Sequence, residues 1–330
     1  MNESTVRFVM GGQVVKMRDF DPQLTVLDWL RTRAARTGTK EGCAEGDCGS
    51  CTVVLAELDA AGNSIRYRAV NACIQLLATL DGCQLITVED LASEDGSLHP
   101  VQQALVDFHG SQCGFCTPGF VMSLFALYHQ PGEVDHRQVE ECLAGNLCRC
   151  TGYRPIMDAA AKALAGPRAD RFSTAEQETV DMLREIRHGQ GLRLQHRDRL
   201  FHAPVSTQQL CEILSKYPEA VLVAGLTDVG LWINKQLASI DTLVYLGRVD
   251  GLRDIGTRDD VLEIGAAVTY SDAIDVLAQH YPPLRPYMAR IGALQVRNAG
   301  TLGGNIANGS PIGDMAPPLI ALGAQLVLNS

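Results

Sequence analysis

The sequence predicts a multidomain α+β protein: a small mixed domain, an all-helical domain, and an α+β domain in which helices and strands alternate. Three observations carry this. Short apolar runs at strand spacing surround a single helical segment up to residue 89. Helical spacing then takes over as far as residue 165. After a charge-rich stretch, helices and strands alternate from residue 204 onward. The expected parts are therefore 1–89, 90–165, a linker at 166–203, and 204–330.

Residues 6–10 and 14–17 flank Gly11-Gly12, a hairpin signal. Thr25, with Asp28 three positions on, caps a helix expected over 26–35. Residues 52–58 and 65–69 make a second hairpin around 60–63, and 84–88 adds a strand. The second part has helices at 100–108, with Pro100 in the first turn, from Thr117-Pro118 to Tyr128, at 136–143, and at 155–164. The stretch 166–203 is rich in charge and poor in large apolar residues. It reads as a linker with one exposed helix opened at Ser173 to Glu176. Further strands are expected at 220–224, 242–246 and 261–264, and the chain stops at 326–330 inside another.

The formal net charge of −10 argues against nucleic-acid and anionic-membrane partners. No apolar run approaches the roughly 20 residues of a membrane helix. The first residues, Met-Asn-Glu-Ser-Thr, have neither the basic start nor the apolar centre of a secretory signal. A cytoplasmic, reducing location is expected, where close cysteines act as metal ligands rather than disulfides.

Eight of the eleven cysteines fall into two sets of four. The first is Cys43-x4-Cys48-x2-Cys51 followed by Cys73. This is the spacing of plant-type ferredoxins, which hold a [2Fe–2S] cluster. Gly42, Gly46 and Gly49 stand beside the ligands and let the backbone turn tightly around bridging sulfides. Structural zinc is the rival, and rarely uses this spacing. The second set is Cys113-x2-Cys116 with Cys148-x-Cys150. Alone it also fits a zinc knuckle. Beside a ferredoxin-type set it reads as a second electron station. Cys83, Cys142 and Cys211 are left over and are expected to be small buried hydrophobes.

Two glycine-bearing turns mark the third part. One runs through Leu222, Val223, Ala224, Gly225, Leu226, Thr227 and Asp228; the other through Thr301, Leu302, Gly303, Gly304 and Asn305, with Ser310 to Asp314 beyond. Such turns can present N–H groups to a pyrophosphate, and ordinary turns look the same. A Rossmann fingerprint is missing.

Taken together, these residues resemble a known family. Lys40-Glu-Gly-Cys43, Gly46-Asp-Cys48-Gly49, Gln112-Cys113-Gly-Phe-Cys116-Thr-Pro-Gly119 and Gly145-Asn-Leu-Cys148-Arg-Cys150-Thr-Gly-Tyr153 are similar to the xanthine oxidase family of molybdenum hydroxylases. Gly303-Gly-Asn305 and Ser310 to Asp314 resemble its flavin domain. The domain order, with no molybdenum domain, resembles the iron–sulfur/FAD small subunits of bacterial xanthine dehydrogenases. The resemblance implies a ferredoxin-like β-grasp domain, a four-helix [2Fe–2S] domain, and a flavin domain of the PCMH/VAO type. It implies a partner large subunit that carries molybdopterin and hydroxylates hypoxanthine and xanthine to urate, in a heterotetramer of two small and two large subunits. Electrons would pass from the Cys113/Cys116/Cys148/Cys150 cluster to the Cys43/Cys48/Cys51/Cys73 cluster, then to FAD and NAD. Hydroxylation by this chain alone is not expected. By the same resemblance Gln112 contacts the pterin across the subunit boundary, and residues from Leu222 through Val229 to Gly230, Thr301 to Asn305, and Asp314 bind flavin. Two departures stand out. Leu226 replaces the family's usual Gly or Asn, and Ile291 replaces a frequent Phe near the isoalloxazine. The family's flavin domain extends further, so this one is expected to be incomplete at Ser330. The rivals are a related hydroxylase of aldehydes or N-heterocycles, a stand-alone electron carrier, and a zinc-stabilised interaction protein.

Overall fold

The computed structural model describes residues 5–187 and 189–328. Strands β1 (Val6–Met10), β2 (Gln13–Met17), β3 (Thr52–Leu58), β4 (Ile65–Asn71) and β5 (Gln84–Ile86) form one sheet, in the order β2-β1-β5-β3-β4. β1 and β5 run parallel and the other pairs antiparallel. Helix α1 (Val26–Thr32) packs across it. Thr25 accepts the Asp28 N–H at 3.0 Å and gives its hydroxyl to the Asp28 carboxylate, as the capping pattern predicts. The helix stops short of residue 35, where Ala35 takes a φ of +55°. The last strand ends at Ile86 because Thr87 and Asp90 cap a short 3₁₀ turn over Val88–Asp90.

The run of apolar residues in β3 lacks alternation because both faces are covered. Val53 and Leu55 join a core with Phe8, Leu27 and Leu30. Val54 and Ala56 face the helical domain. That domain consists of α2 (Pro100–Asp107), α3 (Thr117–Tyr128), α4 (His136–Leu143) and α5 (Arg154–Leu164). α3 is apolar on nearly every side, and all its residues from Gly119 to Tyr128 are buried. Beyond α5, the Asp170 carboxylate meets His99 Nε2 at 2.7 Å and His129 Nε2 at 3.1 Å, tying the chain back onto α2 and α3. Burial alone would raise the Asp170 carboxyl, but the hydrogen bonds to His129 and His99 hold it well below the usual carboxylate range.

The expected linker at 166–203 is instead structured. It contains α6 (Arg171–Thr174), α7 (Glu176–Ile186), β6 (Leu192–His196) and β7 (Arg199–Ala203). α7 was expected to be exposed, yet it buries Val180, Leu183 and Ile186, and the latter two pack against Val9. Its apolar stripe is narrow and diluted by charge, which hides it from a compositional reading. β6 and β7 open the third domain's sheet, whose order is β6-β7-β9-β8, with β8 (Val221–Val223) and β9 (Thr242–Tyr245). α8 (Thr207–Lys216) precedes β8, and α9 (Val229–Asn234) follows it. Phe201, Val223, Leu226 and Leu243 share one core with Phe8 and Leu76 of the first domain.

A separate hairpin, β10 (Ile255–Arg258) and β11 (Val261–Ile264), turns at Asp259 and Asp260, both at positive φ. Helices α10 (Tyr270–His280), α11 (Leu284–Met288), α12 (Leu294–Arg297), α13 (Leu302–Asn308) and α14 (Ala316–Ala321) follow. The strand expected at 326–330 is not formed over Leu326 to Leu328, and its last two residues lie outside the described ones. Of the leftover cysteines, Cys142 is buried and Cys83 half-buried, but Cys211 is exposed on α8. Among the described residues, no helix is long and apolar enough to cross a membrane.

His202 on β7 is 1% exposed, and among the described residues neither ring nitrogen has a hydrogen-bond partner. Burial, helped by Arg193 and Lys216, lowers its pKa from 6.5 to about 4. The unfolded chain therefore binds this proton before the folded one does. The contribution to stability is complete above pH 6.5 and falls away as pH drops to about 4. It amounts to up to ~3 kcal/mol over that window. His202→Phe is expected to flatten the fall in melting temperature across it. An unaltered slope would show that the histidine is not the source.

Candidate functional site

The loop before β3 folds through Ala44 at φ +56°, Gly46 at +80° and Gly49 at +70°. This aims three amides at one sulfur: Cys43 Sγ accepts from Cys48 N at 3.3 Å, Asp47 N at 3.4 Å and Glu45 N at 3.5 Å. Burial would raise the Cys43 thiol, but these amides outweigh it and hold it below its ordinary value. Cys43 and Cys48 also contact through their side chains. A Cβ at Gly42 would come within 2.8 Å of Cys48 Sγ, so only glycine leaves that sulfur room. Cys51 and Cys73 form the other pair, their sulfurs 3.3 Å apart. Hydrogen bonding to Cys51, together with burial, pushes Cys73 far up.

The second set repeats the plan. Cys113 lies on the loop after α2, Cys116 at the start of α3, and Cys148 and Cys150 between α4 and α5. Cys113 pairs with Cys150 and Cys116 with Cys148 through side-chain hydrogen bonds. Burial and the Cys148 contact push Cys116 up to about 12. Cys148 goes the other way: burial would raise it, but the Thr151 hydroxyl at 3.2 Å and amide at 3.5 Å lower it. Among the described residues, no three His, Cys, Asp or Glu side chains are placed to hold a single ion. Neighbouring pairs, two and two, suit a dinuclear cluster with two thiolates on each iron and suit a tetrahedral zinc site poorly. The residues present thus fit [2Fe–2S] clusters. Cys113 and Cys150 are exposed, as are Gln112, Phe115, Leu147 and Tyr153 around them.

The two loops touch directly. Leu147 N donates to Cys48 O at 3.0 Å, and Asn146 Nδ2 donates to Gly49 O at 3.0 Å. On the other side, Asn234 at the end of α9 donates to Cys73 O, and Lys235 donates to Cys43 O. Asn146, Asn234, Lys235 and Gln295, described below, were not found from the sequence. Only the placement of Asn146 inside the Gly145-Asn-Leu-Cys148 motif could have drawn attention to it.

The two glycine turns of the third domain come together. Gly225 abuts Ala299, where a Cβ would lie 2.0 Å from the carbonyl oxygen, and the Asn308 side chain reaches the Asp228 carboxylate. Leu226 sits at φ +61°, a left-handed position that favours Gly or Asn, while its side chain is buried in the shared core. Burial holds a leucine where the backbone would prefer a smaller residue. Among the described residues, the amides of Gly225 to Asp228 donate to no protein group. A half-buried turn with free amides and one left-handed residue suits a phosphate.

The Gly303-Gly304 turn differs from expectation. Gly303 N donates to Ala266 O at 3.1 Å and Gly304 N to Thr301 Oγ1 at 3.0 Å, so both amides are already engaged. Gly303 is small because Ala266 O would stand 2.4 Å from a Cβ. Asn305 Oδ1 accepts the Met315 N–H, which brings Asp314 to this group. Ile291, expected at the flavin ring, is 7% exposed and packs in a core with Met288 and Leu302.

Comparison with known families agrees with this architecture. Residues 12–76 match the 2Fe-2S iron-sulfur cluster binding domain, 87–161 the [2Fe-2S] binding domain, and 194–330 the FAD binding domain in molybdopterin dehydrogenase. The last match starts inside β6, consistent with that hairpin belonging to the third domain. Xanthine dehydrogenase from Drosophila pseudoobscura pseudoobscura is 34% identical over 99% of the chain, and that from Emericella nidulans likewise 34% over 99%. Aldehyde oxidase 1 from Bos taurus is 32% identical over 97%. The chain spans 28% of the length of each of these relatives. Fold and cysteine centres together define a module with two [2Fe–2S] domains and an FAD-binding domain. The chain belongs to the xanthine oxidase family of molybdenum hydroxylases, of which it is the 2Fe-2S/FAD part.

Proposed function

We propose that this chain is the electron-transfer subunit of a xanthine dehydrogenase, linking a molybdopterin site on a partner subunit to FAD and NAD during oxidation of hypoxanthine and xanthine to urate. The observation that carries it is the set of four sulfur pairs, two in each cysteine quartet, with a backbone hydrogen bond from Leu147 to Cys48 joining the two quartets. Bound [2Fe–2S] clusters and FAD supply one-electron and two-electron redox chemistry. Cys43, Cys48, Cys51 and Cys73 hold one cluster; Cys113, Cys116, Cys148 and Cys150 hold the other. The amides around Cys43 and the Thr151 contacts to Cys148 stabilise thiolate charge. The free amides of Gly225 to Asp228 receive the FAD pyrophosphate. Thr301 to Asn305 and Asp314 shape the turn facing it. Gln112, exposed beside exposed Cys113, meets the pterin of the partner.

Metal analysis is expected to give about four iron and four acid-labile sulfide per chain, with two distinct EPR signals on reduction. Stoichiometric zinc without labile sulfide would sink the proposal. The likeness to a bovine aldehyde oxidase favours one second reading, in which the partner hydroxylates an aldehyde. Assaying the complex with xanthine and with an aldehyde separates the two. The purified chain alone should turn over neither.

A further inference from the structure

Thr52 of the first domain, Ser123 and Asn146 of the second, and Gln295 of the third meet in one buried cluster, each no more than 2% exposed. Gln295 Nε2 lies 3.0 Å from Ser123 Oγ, 3.0 Å from Asn146 Oδ1 and 3.3 Å from Thr52 Oγ1. Ser123 donates its own hydroxyl to Asn146 Oδ1 at 2.7 Å. Asn146 Oδ1 therefore accepts two donors, which fixes the orientation of its amide and turns Nδ2 toward Gly49 O. The next residue, Leu147, hydrogen-bonds Cys48 O, and Cys148 follows it. One hydrogen bond thus joins the main chain of one cysteine loop to that of the other.

The surroundings allow no slack. A Cβ at Gly49 would lie 2.1 Å from Gly145 O, and one at Gly145 would lie 2.2 Å from Gln295 Oε1. That Oε1 is itself buried and has no hydrogen-bond partner among the described residues. An apolar side chain in its place would carry no such unpaired oxygen, so stability alone does not account for a glutamine. Its effect is on orientation: it is the only described group of the third domain that donates to Asn146.

We propose that Gln295 is a positioning residue, which orients Asn146 and so keeps the Leu147–Cys48 hydrogen bond in register as the contact coupling the two cysteine centres. This rests on the cluster reading above. A single electron crossing the contact leaves one centre oxidised by one electron and the other reduced by one, and no bond breaks.

The test uses the complete protein with its partner subunit and cofactors. Gln295→Leu removes the donor and keeps the bulk; Ser123→Ala removes the other donor to Asn146. Both variants should match the parent in iron content, in having two EPR signals, and in both midpoint potentials. The magnetic splitting between the two reduced centres should shrink. Equilibration between them after pulsed reduction should slow severalfold in Gln295→Leu, and less in Ser123→Ala. Unchanged splitting and rate in Gln295→Leu would overturn the proposal. Loss of either signal in both variants would overturn it too, because the cluster of side chains would then serve assembly. A parent protein without two signals would refute the cluster reading itself.

Discussion

Cys43→Ser should abolish one of the two iron–sulfur signals and leave the other in place. Cys43 collects three backbone amides, more than any other cysteine sulfur among the described residues, so it is the best stabilised thiolate of its set. A serine hydroxyl stays protonated under the same conditions and cannot match it. In the proposed cluster, the remaining cysteines of that quartet would leave one iron with Cys51 and Cys73 and the other with Cys48 alone. The second quartet draws its ligands from the helical domain, whose core is built from α2 to α5 and one face of the sheet. It should keep its metal, so iron should fall by about half, from about four to about two per chain. Iron analysis with EPR of the reduced protein checks this. Loss of both signals from a folded protein, or of neither, would show that the sets are assigned wrongly.

Gly119→Ala should destabilise the protein although it sits inside a helix. Alanine is favoured over glycine there by about 0.5–1 kcal/mol. Against this, the new methyl would stand 2.2 Å from Gly49 O and 3.1 Å from Asn146 Nδ2. The carbonyl cannot retreat, because it also accepts the Thr52 hydroxyl and the Asn146 amide. Overpacking of this kind costs about 1–3 kcal/mol, and a backbone obstacle belongs at the upper end. The net effect expected is roughly 2 kcal/mol of lost stability, read from urea or thermal unfolding. An unchanged or raised midpoint would mean that the two cysteine loops are not in the contact described.

Much of this was legible in the sequence because it depends on local spacing. The cysteine quartets, the Thr25 cap, the α3 boundaries and the β3–β4 hairpin each rest on residues close together in the chain. What was missed depends on distant partners. α7 and the β6–β7 hairpin look like linker because their apolar residues are few; packing on Val9 holds the helix, and pairing with β9 holds the hairpin. The Gly303-Gly304 turn offered glycines but not the use of their amides, which Ala266 and Thr301 take up. Leu226 stood out as a departure, and its left-handed backbone shows why the position favours a smaller residue. Gln295 carries no motif at all; its meaning comes from three residues in two other domains.

Gln295 and Thr52 touch across 243 positions of sequence, and Asn146 reaches Gly49 across 97. Such separation costs little at equilibrium, since loop-closure entropy grows only with the logarithm of length. It matters for timing. Contacts of long sequence separation form late, and domains fold in the order they are synthesised. Both cysteine loops therefore leave the ribosome while the glutamine that orients the bond between them is still untranslated. A fragment ending at residue 165 can hold every cysteine of both sets and still lack the setting of their link, which only translation of the third domain completes.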